Sequence, residues 1–335
     1  IGAPKTLIDF SVVVYFTLNS KDNCAVFTMS SEEEEYVFYK DRLQWKDVVP
    51  IKQDDGEAPV CPIAYTAEFE DVMNYFRAML QADEKSQRAL ENTTEVIEFN
   101  AANYTVWYFR RLILKELNSD LKEELQFVSD EAAEHPKNYQ IWYHRRAIVE
   151  MLGDSSQELQ FTKLVHMNDA KNYHAWDHRQ WVLKTFKLWD GELEYVEKLL
   201  RQDVRNNSAW NQRYFVITNT TDMSLEVCKK ESLWTIERVK EAPNNESAWN
   251  YLRGIMKGYK FTDFPEVVAL CEECPNKWPA CAFGQSLLVD VLTSQNKLAE
   301  AKEVCERLAR GVDDIHKKYW EYRTAVLDNK ITAQS

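Results

Sequence analysis

A tryptophan returns along this chain at a nearly constant interval. Trp107, Trp142, Trp176, Trp210 and Trp249 are 35, 34, 34 and 39 residues apart. A fixed period of this length marks stacked repeats, in which each unit buries its apolar face only against its neighbours. The chain is therefore expected to form an array and not one closed core.

Each copy carries the same companions. Asn stands four residues before every repeat Trp, at positions 103, 138, 172, 206 and 245. Its side-chain oxygen can accept from an orphan backbone N–H, so each Asn predicts a helix N-terminus. Arg follows three residues after Trp as Arg110, Arg145, Arg179 and Arg213, on the same helical face. A second motif has the same period: Glu124-Leu125-Gln126-Phe127, Glu158-Leu159-Gln160-Phe161 and Glu192-Leu193-Glu194-Tyr195, each beginning 18 residues before its Trp. The unit is then a helical hairpin, two helices of about 13 residues with short connections. The fold class that follows is all-α, an α-α superhelix of stacked hairpins curving into a crescent. Only 8 Gly and 9 Pro interrupt the chain, which suits that fold.

Residues 62–335 are read as the hairpin solenoid, with the Trp-centred repeats at about 90–260. After Arg253 the pattern loosens. Cys271-Glu272-Glu273-Cys274-Pro275 is expected to end a helix, 283–292 and 298–309 to form another pair, and 316–323 to be a degenerate cap. Residues 29–61 lack a helical period and form an arm, either packed on a partner or the first helices, or disordered. Residues 1–28 lie outside the pattern, an extension of doubtful origin, with Met29 the more natural start. Its apolar run, 10–18, is too short to span a membrane.

A net charge of −13 disfavours bulk nucleic-acid binding. Seven cysteines show no disulfide framework, which predicts a reducing compartment, the cytoplasm. Cys271 and Cys274 form a lone CxxC with Cys281 seven residues on. A zinc site needs a fourth ligand and none is evident, so no metal ligand is assigned. No P-loop, nucleophile elbow, glycine-rich nucleotide fingerprint or HExxH is present.

Local charge points elsewhere. Lys137, Lys171 and Arg205 each directly precede a cap Asn. Helix N-termini favour anions, so stacking would gather three cations along one edge suited to phosphate. Tyr104, Tyr139 and Tyr173 stand in the first turn at that edge. The position then becomes Asn207 and Glu246, so the fold does not demand an aromatic there. The repeat Arg has two readings, a ligand contact or an ion pair with Glu124, Glu158 and Glu192.

At Asn-Tyr-x-x-Trp-x-x-Arg-Arg, and again at Arg205-Asn206-Asn207-Ser208-Ala209-Trp210-Asn211-Gln212-Arg213, the chain resembles the protein prenyltransferase α-subunit family. The resemblance is strong over about 43–260. It points to the α subunit shared by protein farnesyltransferase and protein geranylgeranyltransferase type I, with the Rab geranylgeranyltransferase α subunit as the nearest rival. A non-catalytic repeat scaffold is the reading from another class.

The resemblance implies a heterodimer. The α crescent wraps a β subunit that holds zinc, magnesium assists, and neither metal is bound by this chain. A farnesyl or geranylgeranyl group passes from prenyl diphosphate to the cysteine of a C-terminal CaaX motif. It further implies that Lys137 stabilises the departing diphosphate and that Tyr173 donates to it. Asn138, Tyr139, Asn172 and His174 would line that region. Gln140 would meet the CaaX carboxylate, and Tyr104 would shape the pocket for the last CaaX residue. Neither nucleic acid nor a membrane span is expected. Two positions depart from the family: Tyr108 and Tyr143 follow the repeat Trp, where the family often has His.

Overall fold

The computed structural model describes residues 36–334. The extension at 1–28 and the acidic cluster at 32–35 lie outside the described residues. Within them are fifteen α-helices and no strand.

The helices run α1 (Ala67–Gln81), α2 (Gln87–Phe99), α3 (Tyr104–Leu117), α4 (Leu121–Glu134), α5 (Tyr139–Leu152), α6 (Glu158–Asn168), α7 (Tyr173–Phe186), α8 (Glu192–Gln202), α9 (Asn207–Thr220), α10 (Leu225–Glu241) and α11 (Glu246–Ile255). Then come α12 (Pro265–Lys277), α13 (Ala282–Ser294), α14 (Leu298–Arg307) and α15 (Lys317–Gln334). Odd-numbered helices from α3 to α11 carry the repeat Trp, and even-numbered ones from α4 to α8 carry the Glu motif. Successive Trp-bearing helices touch, forming one layer of an α-α superhelix.

Each predicted cap forms. Asn103 Oδ1 accepts from the Thr105 and Val106 N–H, Asn138 from Gln140 and Ile141, Asn172 from Ala175, Asn206 from Ser208 and Ala209, and Asn245 from Ser247. The cap also ties repeats together. Every repeat Trp donates its indole N–H to the carbonyl six residues before it, at 2.7 to 3.0 Å. The next repeat's Asn donates to the same carbonyl: Asn172 to Pro136, Asn206 to Ala170 and Asn245 to Val204. The Trp is thus a core residue with one polar duty.

The same fastening continues past the fifth Trp. Cys281 caps α13 and sets its Sγ 3.1 Å from the Pro243 carbonyl, where an Asn would be. Gln285 stands in for Trp, donating to the Pro279 carbonyl at 2.8 Å. α12 runs through Pro275 and stops two residues later, at Lys277.

The repeat Arg resolves as an ion-pair residue. Arg110 grips Glu124, Arg145 grips Glu158, Arg179 grips Glu192 and Arg213 grips Glu231, all buried and two-pronged. Each guanidinium also lies over the aromatic three residues after its Glu, at 3.4 to 4.3 Å: Phe127, Phe161, Tyr195 and Trp234. The fourth copy, Glu231 to Trp234, escaped the sequence reading because its interval stretches from 34 to 39 residues.

The residue two after each of the last four repeat Trp completes the set. His144 Nε2 meets Glu124 at 2.7 Å, and His178 Nε2 meets Glu158 at 2.6 Å. Gln212 donates to Glu192 and the Tyr251 hydroxyl to Glu231. Each glutamate therefore joins the Trp-bearing helix before it to the one after it. Burial alone raises the Glu124 carboxyl, but hydrogen bonds from His144 and Arg110 outweigh it and hold it at about 2.

The arm packs at its start. Tyr39 and Trp45 are buried, with Tyr39 stacked 4.8 Å from Tyr75 and its hydroxyl accepting from Asn92. Arg42 clamps Glu95. The apolar core falls into two clusters, residues 39–149 and 196–327. α7 lies between them.

Candidate functional site

The loop from α4 to α5, the first turn of α5 and Ala102 from the α2–α3 connection line an open hollow of about 540 Å³, with His135, Pro136, Lys137, Asn138, Tyr139 and Gln140. Four of the eight residues singled out from sequence meet there.

The turns before α7 and α9 are built alike. Asp169 Oδ1 accepts the Lys171 N–H at 3.0 Å, and Asp203 Oδ1 accepts the Arg205 N–H at 2.9 Å. The cap Asn then starts the helix and leaves the next side chain facing solvent. Tyr104, Tyr139 and Tyr173 are accordingly exposed, at 72, 68 and 66 %. Phenols this exposed leave their hydroxyls open to a ligand.

His174 draws the two central repeats together. Its ring meets Tyr139 edge-on at 4.3 Å and Tyr173 at 5.5 Å, and it stacks over Trp142 at 6.3 Å. Partial burial lowers its pKa, against an opposing hydrogen bond with the Lys137 backbone. Lys137, Tyr139, His174 and Tyr173 thus form one contiguous group across the repeat boundary. Tyr104 stands one repeat upstream, beyond Ala102 at the edge of the hollow.

Asn172 differs from the others. It is 2 % exposed and both ends of its amide are committed, Oδ1 to the Ala175 N–H and Nδ2 to the Pro136 carbonyl. It braces the turn beneath Tyr173 and His174. Asn138 is half-buried and capped onto α5 in the same way.

The expected row of cations has a feature that charge counting missed. Lys137 Nζ lies 3.4 Å from Asp169 Oδ2, and Lys171 Nζ lies 3.5 Å from Asp203 Oδ2. Each ammonium meets the carboxylate of the next repeat's turn. The signal was in the sequence, since Asp169 and Asp203 keep the 34-residue period. Asp three residues before a cap also reads as turn chemistry, which masks its part as a counter-ion. The rim alternates in sign, yet Lys137 keeps 76 % of its side chain exposed.

The cysteine group is a packing feature. Cys271, Cys274 and Cys281 are buried, and burial pushes the Cys271 thiol up. Among the described residues no set of three or more His, Cys, Asp or Glu is placed to hold a metal ion. Nor is any described helix long and apolar enough to cross a membrane.

Comparison with known proteins fits this geometry. The family model described as the protein prenyltransferase alpha subunit repeat matches residues 86–117, 121–152, 155–186, 189–220 and 229–259, the hairpins that end on each Trp-bearing helix. A Dictyostelium discoideum protein named protein farnesyltransferase/geranylgeranyltransferase type-1 subunit alpha is 42 % identical over 318 residues, covering 90 % of this chain and 99 % of that one. The Pisum sativum protein of the same name is 47 % identical over 269 residues, covering 78 % and 81 %. Among solved structures, Candida albicans protein geranylgeranyltransferase-I complexed with GGPP matches with a TM-score of 0.76 at 28 % identity, over 88 % of this chain and all of that one.

Proposed function

This chain belongs to the protein prenyltransferase alpha-subunit family, and from that premise we propose that it is the α subunit of a heterodimeric enzyme that prenylates proteins. The enzyme moves a farnesyl or geranylgeranyl group from prenyl diphosphate to the cysteine of a C-terminal CaaX motif, in the cytoplasm. The catalytic β subunit supplies the rest of the site. The observation that carries this reading is the exposed Lys137 ammonium, on a turn whose backbone meets His174, whose ring in turn contacts Tyr139 and Tyr173.

The chemistry assigned to this chain is leaving-group stabilisation. As the thiolate attacks the first prenyl carbon, the bond to the bridging oxygen breaks and negative charge grows on the diphosphate. A fixed cation and a hydroxyl donor at that point lower the barrier, because they bind the transition state more strongly than the ground state. Lys137 is the cation and the Tyr173 hydroxyl the donor. Asn138, Tyr139 and His174 line the diphosphate and product region. Asn172 acts from beneath, holding the turn that presents Tyr173 and His174. Gln140 meets the carboxylate ending the CaaX peptide, and Tyr104 shapes the pocket for its last residue.

Zinc supplies thiol activation, with magnesium assisting at the diphosphate. The described residues do not fit a zinc site, since their three clustered thiols are buried and Cys281 is engaged with a backbone carbonyl. We therefore assign the zinc to the β subunit.

Co-expression with a prenyltransferase β subunit tests the proposal. A stable pair that transfers a labelled prenyl group to a CaaX peptide is expected. Failure to form any pair with either a farnesyl-type or a geranylgeranyl-type β subunit favours a binding scaffold without chemistry.

A further inference from the structure

Lys137 does not project freely. Its ammonium sits 3.4 Å from Asp169 Oδ2, a carboxylate on the following repeat. That carboxylate is itself held. Its other oxygen accepts the Lys171 N–H at 3.0 Å, the Asp169 N–H donates to the Val165 carbonyl at 2.9 Å, and its own carbonyl accepts from the Asn172 N–H at 3.0 Å. A rigid turn therefore offers one free carboxylate oxygen to one mobile ammonium. The pair is largely solvated, so it contributes little to stability. Its effect is on where the ammonium rests and how much of its charge is already answered.

We propose that Asp169 is a positioning residue for leaving-group departure, a counter-ion that occupies Lys137 in the ground state and releases it as charge builds on the diphosphate. This rests on the reading of Lys137 given above. Attraction spent equally on substrate and transition state does not speed the chemical step. A carboxylate beside Lys137 weakens its hold on the resting diphosphate, which still carries much of its charge on the terminal phosphate. When the bridging oxygen gains charge, the balance tips toward the diphosphate and the ammonium changes partner. Asp169 thereby lowers the affinity for the diphosphate, and its pair with Lys137 must break before the ammonium can answer the developing charge. Lys171 and Asp203 repeat the same pair one unit further on, which provides an internal control.

The test uses the heterodimer. Asp169→Asn keeps the Oδ1 acceptor for the Lys171 N–H and removes only the charge; Asp203→Asn does the same one repeat away. Dissociation constants are measured with farnesyl or geranylgeranyl diphosphate, whichever the pair uses, and the chemical step by single turnover. Asp169→Asn should tighten prenyl diphosphate binding about 3- to 10-fold and leave the chemical step equal or faster. Asp203→Asn should leave both unchanged, and the effect of Asp169→Asn should vanish in a Lys137→Ala background. A purely structural role would weaken binding or assembly and would not tighten anything. If Asp169→Asn behaves like Asp203→Asn while Lys137→Ala is slow, the proposal for Asp169 fails and that for Lys137 stands. If Lys137→Ala turns over normally, both fail.

Discussion

His144 Nε2 lies 2.7 Å from Glu124 Oε1, on a carboxylate that Arg110 already grips from the preceding helix. Arg111 approaches the other ring nitrogen, Nδ1, at 3.3 Å. A guanidinium can only donate, so Nδ1 accepts and Nε2 carries the proton given to Glu124. His144 is therefore neutral, and the contact is a hydrogen bond to an ionised acid. The same arrangement recurs at Glu158 and, with Gln212 and Tyr251 in place of His, at Glu192 and Glu231. What repeats along the array is a carboxylate with three or more donors; the donor type is free to vary.

Removing one of these carboxylates strands a buried cation. Glu158→Ala leaves Arg145 and His178, 1 % and 3 % exposed, without their acceptor. A loss of about 3–5 kcal/mol is expected, larger than for most single substitutions. Urea titration should show a clear fall in midpoint. An Arg145→Met, Glu158→Leu double variant should lose less, because no charge is left unpaired. Equal losses would show that the charge pair itself, and not the stranded partner, sets the cost.

Acid should loosen the array, beginning below neutrality. Burial lowers the pKa of His144 and His178, and that of His166 to about 3. In the unfolded chain these rings titrate near 6.5, so below that pH the unfolded state binds more protons and stability falls. The loss is on the order of 1 kcal/mol per pH unit for each ring held neutral. Glu124, held at about 2, adds to the loss between its ordinary range and that value. Thermal midpoints should decline steadily from pH 7 to pH 5. A flat profile over that interval would contradict the neutral assignment.

Lys137→Ala in the assembled enzyme should cut turnover by roughly one to three orders of magnitude, the range for losing one group that stabilises developing negative charge. Affinity for prenyl diphosphate should change less than the rate. Lys137→Arg should recover only part of the activity, because a planar fork presents its charge differently from a compact ammonium. Undiminished turnover of Lys137→Ala would remove this residue from the mechanism.

Gly284 is a packing requirement at the sixth repeat. A Cβ there would come 2.5 Å from Cys274 Sγ and 2.8 Å from the Trp249 ring. Gly284→Ala should cost about 1–3 kcal/mol through overpacking. Cys274→Ala in the same chain should restore part of it by opening space. Absence of any shift in melting temperature for Gly284→Ala would show that the α11–α13 contact is looser than these distances.

The repeat architecture and most of the rim were legible in the sequence, because both follow from local rules carried on a fixed period. An Asn four residues before each Trp sets a helix start, and the position after it faces solvent. Period therefore located Lys137, Tyr139, Tyr173 and the partners of Arg110, Arg145 and Arg179. Where the interval lengthens, at Glu231, or where residue type changes, at Cys281 and Gln285, the pattern was lost although the geometry persists. Backbone carbonyls impose that geometry and accept from any donor of suitable reach.

Sequence alone determined that the chain stacks hairpins and that cations and phenols share one edge, since helix caps and periodicity act within a few residues. Only the tertiary structure decided which charges meet across repeats. Asp169 faces Lys137, Asn172 is withdrawn beneath the rim, and His174 bridges Tyr139 and Tyr173. Those relations depend on the rotation and offset between neighbouring hairpins, which are set by packing over many residues and are written in no single motif.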